Sequence, residues 1–145
     1  MAEINRITVF KDETGTPSYA LVDGEHRVLV TLDQVQVGTY ASGDSGAITA
    51  NTETTVVSYT VPSGKVFKLT GWRANGKAHA VFSLFLNGDK VVEERNSVAS
   101  PNVGDNLGVG LKAEAAEVIT IKVLHHEMGK TVNFHGTILG TLEDA

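Results

Sequence analysis

Apolar and polar side chains alternate through most of the chain from Thr54 onward. In Thr54 to Arg73 (TTVVSYTVPSGKVFKLTGWR), Val56, Ser58 and Thr60 alternate with Val57, Tyr59 and Val61. A period of two is that of a half-buried strand, because successive side chains leave opposite faces. Pro62-Ser63-Gly64 breaks the run, since proline fixes φ and lacks an N–H while glycine supplies a φ > 0 position. Val66, Phe67, Leu69 and Trp72 then form a second strand, closed by a turn at Ala74-Asn75-Gly76-Lys77.

The same rhythm continues. His79 to Leu86 (HAVFSLFL) carries apolar groups on both faces, which predicts a central strand. Asn87-Gly88 is a strong hairpin signal, and Asp89 to Arg95 returns with polar ends, as an edge strand does. Asn96 to Asp105 reads as a loop, Leu107 to Leu111 as a short strand, and Lys112 to Ala116 as one helical turn or a loop. Glu117 to His125 and Thr131 to Leu142 are two further strands, the last bent near Gly136 or Gly140. Strands spaced by about 8–12 residues, with no sustained helical period, indicate an all-β fold, a β-sandwich or jelly roll. Its expected core is Val57, Tyr59, Phe67, Leu69, Phe82, Leu84, Ile119, Ile121, Val123 and Phe134.

Residues 1–46 differ in texture and are expected to form an N-terminal β-arm and linker ahead of a sandwich over 47–145. Ile4 to Lys11, Tyr19 to Val22 and Arg27 to Leu32 read as short strands separated by turn clusters. Three such strands are marginal alone in water, so the arm is expected to dock on the main body or on a neighbouring chain. From Gly38 to Thr55 the chain is rich in Gly, Ser, Thr, Ala and Asn, which reads as a loop or linker.

Composition narrows the function classes. The chain has 145 residues, 41% of them hydrophobic, enough for one cored domain. It has no cysteine, which removes disulfides, thiol nucleophiles and thiolate metal sites. A net charge of −5 and 6% aromatic content disfavour nucleic acid as a partner. No signal peptide is expected from MAEINRITVFKDE, and no apolar stretch reaches the roughly 20 residues of a membrane span, so no membrane partner is expected.

Candidate chemistry is sparse. His125, His126 and His135 suggest a metal cluster, but adjacent strand residues face opposite sides, so His125 and His126 cannot share an ion without a bend. Surface or strand-end histidines are the preferred reading, with no metal and no cofactor. Glu93-Glu94, Asp23/Glu25 and Glu114/Glu117 are solvated charge rather than a glycosidase pair. Gly104, Gly108 and Gly110 follow no phosphate-loop spacing, and Ser45 is no nucleophile elbow. No catalytic residue is assigned, and the chain is expected not to be an enzyme. Trp72 closes an apolar strand and reads as a core or interface anchor, with Arg73 beside it.

The run Glu53 to Gly71 (ETTVVSYTVPSGKVFKLTG), followed by a strand ending at Leu86-Asn87-Gly88, resembles a phrase common in tailed-bacteriophage virion proteins. The opening, with Lys11-Asp12 and Val22 to Val28, is similar to their leader segments. The resemblance implies a β-sandwich module of capsid surfaces, necks, baseplates and fibres. It points to a non-enzymatic capsid decoration (cement) protein, made in a host cytoplasm and carried on the virion's capsid surface. The implied partners are the major capsid protein and further copies of itself, as a homotrimer. Phe10, Tyr19, Trp72 and Arg73 are the candidate interface residues. The alternative is a tail or baseplate module that binds carbohydrate or a receptor.

Overall fold

The computed structural model describes residues 5–11, 17–22, 28–29 and 37–145. The chain divides into two compact units, Met1–Val35 and Gln36–Ala145. In the first, β1 (Asn5–Lys11), β2 (Pro17–Val22) and β3 (Val28–Leu29) form an antiparallel sheet in the order β1-β2-β3. Tyr19 pairs with Thr8 and Phe10 with Ser18, across a bulge at Val9. The small meander expected there is therefore present. Val30, the turn residues and the side chains of Phe10 and Tyr19 lie outside the described residues.

The second unit contains β4 (Val37–Thr49), β5 (Thr54–Thr60), β6 (Lys65–Gly76) and β7 (Ala80–Leu86), then β8 (Asp89–Arg95), β9 (Asn102–Ala113), β10 (Val118–His125) and β11 (Thr131–Asp144). They make two four-stranded antiparallel sheets, β5-β10-β7-β8 and β4-β11-β6-β9. Every connection crosses from one sheet to the other except the β7–β8 hairpin, and this is jelly-roll topology. The hairpin turns at Asn87 and Gly88, both at positive φ, as a tight hairpin turn requires.

Between the sheets lie Val57, Phe67, Leu69, Phe82, Leu84, Ile119, Ile121, Val123 and Phe134, all buried as expected, with Tyr59 packed at the margin. Phe82 meets Phe134 edge-on at 5.6 Å between centroids, a favoured aromatic geometry that ties the two sheets together. Trp72 is the largest fully buried side chain, at 0% exposure.

Three expectations need correction. The linker over Gly38–Thr55 is largely strand: β4 runs the length of β11, from Leu142↔Val37 to Thr131↔Thr49. Its composition misled because its inward positions are small. Gly43 and Gly136 pair across β4 and β11, and β5 packs against them. There Val56 is the extra residue of a bulge, so Val56 and Val57 both point inward. Second, β6 continues to Gly76 through the expected turn, and the following turn begins at Lys77. Third, β9 starts at Asn102, inside the expected loop, and residues 107–110 bulge opposite Thr70.

Candidate functional site

Strand alternation sorts the sheet β4-β11-β6-β9 into an inner and an outer face. Ala41, Ile138 and Trp72 are paired neighbours on the inner face. One residue along, Tyr40, Leu139, Gly71 and Asn106 form a row on the outer face. The next outer row is Ser42, Thr137, Arg73 and Gly104. Tyr40 is 71% exposed, the most open aromatic among the described residues.

Arg73 is held flat on this face. Its Nη1 donates to the Trp72 carbonyl at 2.7 Å, and Nη2 donates to Asn106 Oδ1 at 2.9 Å. Gly104 makes this possible: at φ +136° its absent Cβ would stand 2.2 Å from the Trp72 carbonyl oxygen and 2.9 Å from Arg73 Cδ. The face thus presents a free tyrosine and a pre-set guanidinium, two residue types enriched at protein–protein contacts. The candidate pair Trp72 and Arg73 separates accordingly. Trp72 faces the core and is no interface contact, because an apolar strand residue beside Leu69 and Ala74 is drawn inward. Arg73 is exposed on the outer face.

A polar network lies at one end of the same face. Asp44 Oδ1 accepts the Gly46 N–H at 2.7 Å, and its Oδ2 accepts Asn133 Nδ2 at 2.9 Å and His135 Nδ1 at 3.0 Å. Ser45 Oγ accepts the Phe134 N–H at 2.9 Å, which closes the bulge in β4. The Gly46 N–H is the main cause that holds the Asp44 carboxyl below its usual 3.8, with Asn133 and His135 adding to it. A lowered folded value means stability that is present above pH 3.8 and lost as pH falls through the folded value. Asp44→Asn is expected to lower the unfolding temperature at neutral pH, and the gap from wild type should close in acid. A gap that stays constant across the acid limb would contradict the linkage.

His125 and His126 face opposite sides, as strand alternation requires. His125 is fully buried with Nε2 3.0 Å from the Ile48 carbonyl, and its ring lies 5.6 Å from Phe134. His126 is exposed and pairs through Nδ1 with Asn51 Oδ1 at 2.7 Å. His135 pairs with Asp44 instead of crossing to either. Among the described residues no three His, Asp or Glu side chains come together as a metal site. Beside His135, a depression of about 440 Å³ is lined by Asn75, Lys77, Thr131, Asn133 and backbone-neighbouring Gly76 and Val132. Among the described residues its lining includes no Phe, Tyr or Trp.

The sequence reading missed Tyr40 and Asp44. Both sit in the stretch read as linker, where one tyrosine among small polar residues was the available signal.

No protein-family model matches the chain, and no curated protein matches it. Among solved structures, dimeric latent PorU from Porphyromonas gingivalis is similar over 75% of this chain and 13% of its own length, at 12% identity and a TM-score of 0.45. A likeness at that level bears on neither activity nor partner.

Proposed function

We propose that this chain is a non-enzymatic bacteriophage virion structural protein, a capsid decoration (cement) protein that binds the outer capsid as a homotrimer. The resemblance over residues 53–88 falls on β5, β6 and β7, which are framework strands of the jelly roll. The observation that carries the reading is the outer face with exposed Tyr40, half-buried Leu139 and the pinned Arg73. A rigid guanidinium loses little freedom on binding, so more of its contact energy survives as affinity. Several copies bridging neighbouring capsomers then gain by avidity.

Two results are expected. Tyr40→Ser combined with Arg73→Ser should weaken pelleting with capsids about tenfold or more, while the unfolding temperature barely moves, since both side chains are exposed. Unchanged pelleting would remove this face from the interface. Deleting residues 1–35 should leave the sandwich folded, because β4 begins at Val37, and should abolish assembly on capsids. Equal assembly by the truncated chain would remove the arm's role. A gene beside that of the major capsid protein would favour decoration.

A tail module that binds carbohydrate or a receptor is the second reading. The convergent polar lining of the Asn75–His135 depression favours it, and the lack of an aromatic platform there weighs against it.

A further inference from the structure

We propose that a second depression, at the loop end of the sandwich, binds a small oxyanion, a carboxylate or phosphate group. The sheet order β10-β7-β8 brings three strand ends side by side. His125 pairs with Ala80 and Val81 pairs with Arg95, so His126, His79 and Arg95 are carried to one place. These three line a hollow of about 180 Å³ together with Ala80, Val81 and Asn96. Drug-sized ligands fill roughly 300–1,000 Å³, so this hollow suits a single small group.

The frame is rigid. Asn96 is buried, accepts the Ala80 N–H at 2.8 Å, and donates to the Gly76 and Pro101 carbonyls at 3.0 and 3.1 Å. It fixes the backbone next to Arg95 and at the start of β7. Arg95 itself makes no hydrogen bond or ion pair among the described residues, whereas Arg73 is pinned twice. The Glu93 carboxylate acts on Arg95 through space without a hydrogen bond, so its planar fork of donors, matched to carboxylate and phosphate, stays open.

His126 is oriented for the same task. Asn51 Nδ2 donates to Met128 Sδ at 3.3 Å, so its Oδ1 is the atom that faces His126. The His126 Nδ1 is therefore the donor, and Nε2 is left over for a ligand. A protonated imidazole donates from both nitrogens.

Among the described residues no carboxylate lines the hollow, in a chain whose net charge is −5. The acidic groups around it are occupied. Glu93 is held first by Lys90, with the Arg95 charge also acting on it, and Glu127 first by Lys130, with the His79 backbone N–H and charge also acting on it. Glu94 accepts the Gly104 N–H. The larger depression differs in that the Asp44 carboxylate pairs directly with the His135 ring there, at 3.0 Å.

The test uses the full chain, isotope-labelled, in mildly acidic buffer. Inorganic phosphate, acetate and a short Asp/Glu peptide are titrated separately while side-chain NMR signals of His79, His126, His135 and Arg95 are followed. Saturable shifts at His79, His126 and Arg95, with His135 unmoved, are expected. Arg95→Gln should weaken binding about tenfold or more, the worth of a charge-assisted hydrogen bond. Arg95→Lys, which keeps the charge and loses the fork, should fall between. The signal of buried His125 reports that each variant is folded. Tightest binding of phosphate assigns a phosphate ligand, and tightest binding of the peptide assigns an acidic side chain. Shifts that never saturate, that appear equally at His135, or that persist in Arg95→Gln would overturn the proposal.

Discussion

Trp72→Ala is expected to destabilise the sandwich by about 3–5 kcal/mol, the usual cost of deleting a large enclosed ring. Trp72 is fully buried between the sheets and pairs with Ile138 on the inner face of β6 and β11. Its Nε1 is buried without a hydrogen-bond partner. Trp72→Phe should therefore cost far less, about 1.5 kcal/mol or below, because losing that unpaired N–H offsets part of the lost packing. Denaturant midpoints at unchanged m-value measure both. A loss below about 1 kcal/mol for Trp72→Ala would mean that the ring is a surface anchor after all.

Gly43→Val should cost about 3 kcal/mol, at the upper end of overpacking effects, because backbone rather than a flexible side chain is in the way. A Cβ at Gly43 would stand 2.4 Å from the Val56 carbonyl oxygen and 3.0 Å from Val57 Cβ. Only separation of β4 from β5 relieves that, and Val56 and Val57 are both core residues. Gly38→Ala on the same strand meets nothing within 4 Å and should stay within about 0.5 kcal/mol of wild type. Equal effects at the two glycines would show that the close approach at Gly43 is absent.

These two sites also mark where sequence reading ends. Alternation over β5 and β10 identified strands and inward faces, because burying one apolar face is what that period does, while apolar groups on both faces of β7 marked it as central. The same alternation placed His125 and His126 on opposite sides. It was silent on β4, where the close approach of β5 excludes side chains and leaves Ala41 and Gly43 as the inner residues. A strand whose core face is nearly bare looks like a linker. Trp72 was ambiguous because a strand-end tryptophan serves a core or an interface equally well by composition. The settling of Arg73 onto β9 depends on Gly104, thirty-one residues later, and a contact of that range has no local signature.

Capsid decoration, as proposed, requires that the chain bind the shell and stabilise it. The most direct measurement adds purified chain to capsids that lack it, assembled from the major capsid protein of the same genome, and records bound copies and the temperature of capsid rupture. Saturation at a fixed number of copies is expected, with rupture moved to higher temperature as sites fill. Capsids that bind no chain, or that rupture at the same temperature when saturated, would contradict it.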